Sequence, residues 1–238
     1  MPHAADIASN LDSVRRRIHA AAHRANRNPS DITLVAVSKT FGPDLVRAAA
    51  ADGQRVFGEN RVQEAVAKRS ALADLTVEWH LIGHLQGNKA RKAVETFDWI
   101  QSVDRLDLLA KLDAAASDTG RRPRILIQVD LAGEATKHGA DRAALRDLVH
   151  AAAEATHVRL TGFMLIPPNP DTPESSRPWF RQLRDLRDEL IAEGAPGERL
   201  RDLSMGMSHD FEVAIDEGAT LVRVGTSIFG HRAAAAQA

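Results

Sequence analysis

The chain has 238 residues, of which 44% are hydrophobic and 26% are charged, and its formal net charge is −1. This length accommodates one large domain or two small ones with a buried core, and the balanced charge gives no global field directed at nucleic acid or an acidic membrane. The absence of cysteine excludes a disulfide framework, a cysteine nucleophile and thiolate metal ligands, and it fits a reducing compartment.

The N-terminal stretch predicts an amphipathic helix over residues 4–26. Apolar residues recur there at spacings of three and four, among arginines: Ile7, Leu11, Val14 and Ile18. The arginines argue against a secretory signal peptide, and no apolar run approaches the ~20 residues of a membrane span. We therefore expect a cytoplasmic protein with no membrane association.

Beyond this helix, short β-rich runs alternate with helical stretches. The eight candidate strands are 32–39, 55–60, 78–83, 99–104, 124–131, 159–167, 200–206 and 220–225. The candidate helices between them are 43–52, 60–73, 87–96, 105–118, 140–155, 174–193 and 209–218. Strict alternation indicates parallel strands, and about eight units favour an α/β fold of the (β/α)8 TIM barrel type, with an extra N-terminal helix, over an open doubly wound sheet. Because no linker divides the chain, we predict one domain over 1–238, with the barrel over about 31–232.

The first predicted strand, "ITLVAVSK", ends on Lys39. A lysine at a strand end commonly extends its amine into water. Ligands of a TIM barrel also bind at the carboxyl ends of its strands, where an amine can form a Schiff base with a carbonyl compound. Taken alone, Lys39 fits the first interpretation better, so the choice between the two depends on the residues at the other strand ends.

The last strand end, "TLVRVGTSIFG", is the most specific of the eight. Arg223 pointing into a barrel would need a hydrogen-bond acceptor or an anion. The amides of Gly225 and Thr226 would face an anion if a short helix begins there. The alternative is an internal salt bridge from Arg223 to Glu59 or Asp130.

The seventh strand end, "LSMGMSHD", supports an anion site next to the eighth. Ser204 is the better candidate for a phosphate ligand, because Ser208 could instead form a helix-capping pair with Glu212. An amine on the first strand and a phosphate cradle on the seventh and eighth are neighbours in a closed barrel. This combination fits a phosphorylated aldehyde or ketone, with pyridoxal 5′-phosphate (PLP) and a sugar phosphate as the two candidates.

Seven segments occur in the order of one known family: "VAVSKT", "FGENRVQEA", "WHLIGHLQGNKAR", "SVD", "KHG", "LSMGMSHDFEVAI" and "LVRVGTSIFG". From about Ile32 to Gly230 the chain thereby resembles the pyridoxal phosphate homeostasis protein family. Members of this family are single-domain relatives of the N-terminal barrel of alanine racemase. The resemblance implies a PLP-binding barrel that stores, carries or buffers the cofactor in vitamin B6 and amino-acid homeostasis.

The resemblance also implies a role for individual residues. It makes Lys39 the Schiff-base lysine, puts Asn60 beside the cofactor and directs Arg223 at the pyridine nitrogen. Three positions match the family's phosphate contacts: Ser204, Gly225 and Thr226. Lys137 matches a recurring lysine of less defined role, and Gly87 stands where a polar residue is expected.

The same pattern argues against strong catalysis. An arginine only donates hydrogen bonds, so a pyridine nitrogen facing it stays unprotonated and stabilises a carbanion poorly. Alanine racemase works with such an arginine by adding a tyrosine from a second domain of its partner subunit, and this chain contains no tyrosine. We therefore expect a non-catalytic, monomeric PLP carrier that serves PLP-dependent apo-enzymes. The alternatives are a weak PLP-dependent amino-acid racemase, a class I aldolase (disfavoured because the sixth strand lacks a lysine) and a regulatory partner protein.

Two further patterns predict no additional site. His80 and His84 lie across a strand end with no third ligand in evidence, so no metal site is expected. Lys89, Arg91 and Lys92 at a helix start indicate a solvated face, so no nucleic-acid partner is expected either.

Overall fold

A computed structural model describes residues 4–133, 138–168 and 171–230. Within these residues the strands form a closed parallel barrel in the order β1 to β8, with β8 paired to β1. The strands are β1 (Thr33–Val37), β2 (Val56–Glu59), β3 (Glu78–Leu81), β4 (Trp99–Val103), β5 (Arg124–Val129), β6 (Arg159–Leu165), β7 (Asp202–Met207) and β8 (Leu221–Val224). The predicted TIM barrel is confirmed, and the open-sheet alternative is wrong.

Helices surround this barrel as the alternating pattern predicts. They are α1 (Ala4–Arg24), α2 (Pro43–Ala51), α3 (Val62–Ala71), α4 (Ala90–Thr96), α5 (Leu106–Thr119), α6 (Arg142–Glu154), α7 (Arg177–Ala192), α8 (Phe211–Asp216) and α9 (Thr226–Phe229). Of the described helices, none is long and apolar enough to cross a membrane.

The N-terminal helix α1 completes the ring of helices. It packs against α8 and α2, the helices on either side of the β8–β1 junction, and against the short α9. Its four predicted apolar residues are all buried. Arg17 of α1 forms a bidentate salt bridge with the Glu212 carboxylate, with donor–acceptor distances of 2.8 and 3.2 Å. Because α9 is only one turn long, α1 covers the barrel where a full helix after β8 would otherwise lie.

Apolar side chains form two separate clusters on the two sides of the strands. The larger lies between strands and helices and includes Val222 and Val224 of β8. The smaller fills the barrel interior: Val35, Trp99, Leu126, Met164 and Leu221. Strand alternation therefore works as expected on β8, and it turns Arg223 inward with Leu221. The interior cluster makes the barrel a packed support for whatever lies above it.

Candidate functional site

A cavity of about 470 Å³ opens at the carboxyl ends of the strands. The structure brings five predicted site residues to its wall: Lys39, Asn60, Arg223, Gly225 and Thr226. Three imidazoles also line it: His84, His138 and His209. The volume falls in the range of about 300–1,000 Å³ that small-molecule and cofactor sites occupy. The strand-end residues that the sequence singled out therefore share one site.

Lys39 reaches the cavity because of the alternation that continues past β1. Val37 and Lys39 line the cavity, whereas the intervening Ser38 turns away to contact Glu59. Thr40 then adopts a φ of 70°, which is unusual for a β-branched residue. Such strained positions cluster at functional sites. The chain thus holds Lys39 at a sharp bend between strand and helix.

Gly225 lies close against the end of β1. A Cβ atom there would stand 3.2 Å from the carbonyl oxygen of Val37, so a side chain would press on the strand that carries Lys39. The short helix α9 begins at the next residue, as the anion-site interpretation requires. At Gly225 the cavity face of the β8–α9 junction therefore consists of backbone.

Arg223 lies buried at the cavity wall, with 4% of its surface exposed. Its Nη1 donates to Ser204 Oγ at 2.7 Å and its Nη2 donates to the Leu165 carbonyl at 2.8 Å. Within the described residues it forms no ion pair, so the alternative of a salt bridge to Glu59 or Asp130 is wrong. Burial lowers the pKa of the guanidinium to about 10. The group stays charged at neutral pH, and the cavity keeps a positive wall.

Ser204 does not reach the cavity, which corrects the preference for Ser204 over Ser208. The strand β7 continues to Met207, so Ser204 lies inside the barrel, fully buried, below the cavity. Ser208 follows the strand and does line the cavity. The geometry therefore makes Ser208 the serine that faces a ligand and Ser204 a support for Arg223.

The hydroxyl of Ser208 sits at the start of α9. Its Oγ accepts hydrogen bonds from the amides of Gly225, at 3.2 Å, and Ser227, at 3.3 Å. The helix-capping alternative for Ser208 is wrong, because Glu212 pairs with Arg17 of α1 instead. The Ser208 hydroxyl hydrogen faces an anion directly at this edge of the cavity, and the two amides can donate to an anion in place of Ser208 Oγ.

Beneath Arg223, a chain of hydrogen bonds crosses the barrel interior. Ser204 Oγ donates to Gln101 Oε1 at 2.6 Å, and Gln101 Nε2 lies 2.8 Å from His80 Nδ1. The other ring nitrogen of His80 lies 2.8 Å from Glu78 Oε1. Since the amide nitrogen of Gln101 only donates, Nδ1 accepts and Nε2 carries the proton toward the carboxylate. All donors thus point the same way, from the cation Arg223 to the anion Glu78.

A second buried polar network lies outside the barrel, behind Lys39 and Asn60. One carboxylate oxygen of Glu59 accepts from Ser38 Oγ and from Lys68 Nζ, each at 2.6 Å. Lys68 Nζ also donates to the Ser38 carbonyl at 2.7 Å. Burial raises the pKa of Glu59, and Lys68 opposes that shift. The network ties the ends of β1 and β2 to α3, next to the two cavity residues that follow these strands.

Residues that follow β3, β4 and β5 form a cluster that the sequence did not indicate, and two of them, His84 and His138, line the cavity. The rings of His84 and His138 are stacked with centroids 3.6 Å apart. Nδ1 of His84 lies 3.6 Å from the nearer carboxylate oxygen of Asp104. Burial and the neighbouring His138 lower the pKa of His84. His80 is not part of this cluster, because it lies fully buried inside the barrel.

Asn60 is held beside the cavity by close backbone contact. A Cβ on Gly83 would lie 2.3 Å from the Asn60 carbonyl, so only glycine allows this approach of the β2 and β3 ends. Gly87, where a polar residue was expected, lies in a 3₁₀ turn and does not line the cavity. The predicted Lys137 lies outside the described residues.

Comparisons with known proteins decide the family. The model of the alanine racemase N-terminal domain matches residues 9–233. Pyridoxal phosphate homeostasis proteins of Aquifex aeolicus and Escherichia coli are 45% and 43% identical over 93% and 95% of this chain, and over 96% and 97% of their own length. The chain belongs to the pyridoxal phosphate homeostasis protein family. The resemblance seen in the sequence is thereby confirmed.

Solved structures agree with this family assignment. PipY of Synechococcus elongatus, a structure without PLP, superimposes with a TM-score of 0.85 at 45% identity, covering 94% of this chain and 100% of PipY. PipY with PLP bound gives a TM-score of 0.84 at 44% identity, with the same coverage. An alanine racemase of Clostridium difficile gives 0.74 at 14% identity, over 97% of this chain and 58% of the racemase. That last likeness shows a shared barrel fold.

Proposed function

We propose that this chain binds PLP in the cavity at the carboxyl ends of its strands and carries or buffers it. The observation that supports this most is the donor set of the cavity. Lys39, Arg223 and Ser208 line one wall together with the backbone of Gly225 and Thr226. An amine, a buried cation and a group of anion donors match the aldehyde, the ring nitrogen and the phosphate of PLP, and the family includes a protein crystallised with PLP bound.

Each residue has a distinct role in this proposal. Bound PLP supplies an aldehyde that a lysine amine attacks, and Lys39 is the amine that this chain offers to it. Ser208, Thr226 and the amides at the start of α9 hold the phosphate. Arg223 is a fixed donor against the ring nitrogen and provides no site that accepts a proton, so it orients the ring without activating it.

Carriage rather than turnover is our preferred function. The relatives that cover this chain are named as homeostasis proteins. A weak racemase remains the second candidate, because one observation favours it: the cavity holds the imidazoles of His84, His138 and His209. A histidine could supply the second base that a tyrosine provides in alanine racemase, although a donor-only group at the ring nitrogen works against carbanion chemistry.

We further propose that the chain acts as a cytoplasmic monomer, delivers PLP to PLP-dependent apo-enzymes and has no nucleic-acid partner. Arg91 pairs with Asp118 and Lys92 with Glu95 at the surface, which supports a solvated helix face rather than a polyanion site.

A transfer assay tests this function. The chain is loaded with PLP, freed of excess cofactor by gel filtration and mixed with the apo-form of a PLP-dependent enzyme. We expect that enzyme's activity to recover with the wild-type chain and with the surface control Lys92→Ala, and not with Lys39→Ala. In parallel, alanine racemisation by the chain is measured. Turnover that disappears in both Lys39→Ala and His84→Ala would replace the carrier with an enzyme.

A further inference from the structure

A set of metal-ligand side chains lies opposite the anion donors, with two histidines on the cavity wall and an aspartate beside them. His84, Asp104 and His138 each offer one donor atom, and these atoms all lie within 4.8 Å of one another. The three residues follow three successive strands, β3, β4 and β5, so they come from well-separated parts of the sequence. Two imidazoles and one carboxylate are a donor set that first-row divalent metals favour.

The hydrogen bonding of the cluster supports a ligand role. Among the described residues, neither the His84 ring nor the His138 ring makes a hydrogen bond, since 3.6 Å from His84 to Asp104 is too long for one. One Asp104 oxygen is engaged by Arg105 at 2.6 Å, which leaves the oxygen nearer His84 available. Each neutral imidazole offers one lone pair, so two ring nitrogens and one carboxylate oxygen can face a cation without competition from a donor among the described residues.

The backbone under each ligand is fixed, whereas the rings can still adjust. Ser102 Oγ donates to the Gly83 carbonyl at 2.7 Å, next to His84. The carbonyl of His138 accepts from Gln128 Nε2 at 2.6 Å, and Ala140 pairs with β5 at 2.8 and 3.0 Å. A tetrahedral zinc site needs donor atoms about 3.4 Å apart. The two rings are stacked, so metal binding requires them to rotate until one nitrogen of each points at a common centre.

We propose that His84, Asp104 and His138 form a binding site for a divalent transition metal, Zn²⁺ foremost, at the rim of the cavity. Zinc binds imidazole and carboxylate ligands readily and imposes no geometry of its own, so it suits a site made of two histidines and one aspartate. Three protein ligands leave a fourth position open toward the cavity, the arrangement of sites at which a metal meets a bound molecule. This replaces the expectation that the chain has no metal site, which considered only His80 and His84 and found no third ligand for them.

The test must separate this site from a second histidine pair. His19 and His23 lie one turn apart on the exposed side of α1 and could chelate a metal by themselves. The reference protein is therefore the full chain with His19→Ala and His23→Ala. Zn²⁺ affinity and stoichiometry are measured by competition with a chromophoric chelator, and Co²⁺ absorption reports the coordination geometry. PLP is left out, so the result does not depend on the proposed function.

We expect the reference protein to bind one Zn²⁺ per chain. The Zn²⁺ affinity should fall about tenfold or more in His84→Ala and in His138→Ala, and it should fall in Asp104→Asn as well. His157→Ala is the matched control, because His157 also lies beside a carboxylate, Asp113, at 3.2 Å but lacks a third ligand. Circular dichroism checks that each variant is folded, which the exposure of both histidines leads us to expect. The proposal would be overturned if the reference protein, which lacks His19 and His23, bound no Zn²⁺. It would also be overturned if neither His84→Ala nor His138→Ala weakened Zn²⁺ binding.

Discussion

The two walls of the cavity differ in how their polar groups are satisfied. On the wall formed by β7, β8 and β1, Arg223 and Ser208 are already held by protein hydrogen bonds. On the wall formed by β3, β4 and β5, the rings of His84 and His138 stack on each other and bond to no described residue. The first wall is preorganised, so a ligand meets fixed charges and donors there. The second has rings that can still turn toward a ligand.

The preorganised wall rests on buried polar networks on both sides of the strands. Inside the barrel, the chain from Arg223 to Glu78 holds the guanidinium in place. Outside it, Lys68 and Glu59 fix the ends of β1 and β2. Buried polar groups are costly unless fully partnered, so each link in these networks should be visible in the stability of the fold.

The largest expected effect comes from breaking the outer network with Lys68→Met. Lys68 and Glu59 are 8% and 0% exposed, so the variant leaves a buried carboxylate without its cation. We expect a loss of about 3–5 kcal/mol in the free energy of unfolding, measured with urea. The control is Lys111→Met, because Lys111 pairs with Asp107 at the surface, 3.4 Å apart and more than half exposed. That pair should be worth at most about 1 kcal/mol.

The double variant Glu59→Met/Lys68→Met sharpens this test. Replacing both members of a buried ion pair by apolar side chains is often nearly neutral, so much of the lost stability should return. If Lys68→Met lowered the free energy of unfolding no more than Lys111→Met does, the outer network would not support the preorganised wall.

Serine-to-alanine substitutions at two positions distinguish a serine that supports Arg223 from a serine that contacts a ligand. Ser204→Ala leaves Arg223 Nη1 and Gln101 Oε1 without their partner in the barrel interior, and it should cost about 1–3 kcal/mol of stability. Ser208→Ala removes a hydroxyl at the cavity edge, and we expect near-normal stability with PLP binding weakened several-fold. Urea unfolding and absorbance titration with PLP measure the two quantities. Weaker PLP binding in Ser204→Ala at unchanged stability would return Ser204 to the role of phosphate ligand.

The smallest effect is the pH dependence contributed by His80. Burial lowers the pKa of this histidine below its ordinary value of 6.5, so the folded state binds the proton less tightly than the unfolded state. The stability is therefore complete above pH ~6.5 and falls as the pH drops from there, by up to about 1.4 kcal/mol per pH unit. Urea unfolding between pH 5 and 8 should show a flatter profile for His80→Gln than for wild type.

The sequence predicted the barrel and most of the preorganised wall for the same reason. Strict alternation of strands and helices determines the topology, and in a parallel barrel the residues after each strand meet at one end. Lys39, Asn60, Arg223, Gly225 and Thr226 could therefore be placed together without coordinates. The motifs that carry the family resemblance are concentrated at those same strand ends.

What the sequence could not supply depends on register and on contacts between distant elements. Ser204 was misplaced because it lies three residues before the end of β7 with its side chain inside the barrel, and the shifted pairing of β7 with β8 cannot be read from the sequence. The neighbours of His84 follow two other strands, and no spacing in the sequence brings them together. The Gln101 and Lys68 contacts are likewise pairings across the barrel, and only the closed sheet reveals them.

Borohydride reduction of the chain loaded with PLP, followed by peptide mapping with mass spectrometry, identifies the lysine that holds the aldehyde. We expect a single reduced pyridoxyl adduct on Lys39, absent in Lys39→Ala and retained in Lys92→Ala. An adduct on another lysine, or adducts scattered over surface lysines in both variants, would show that Lys39 is an ordinary lysine at a strand end.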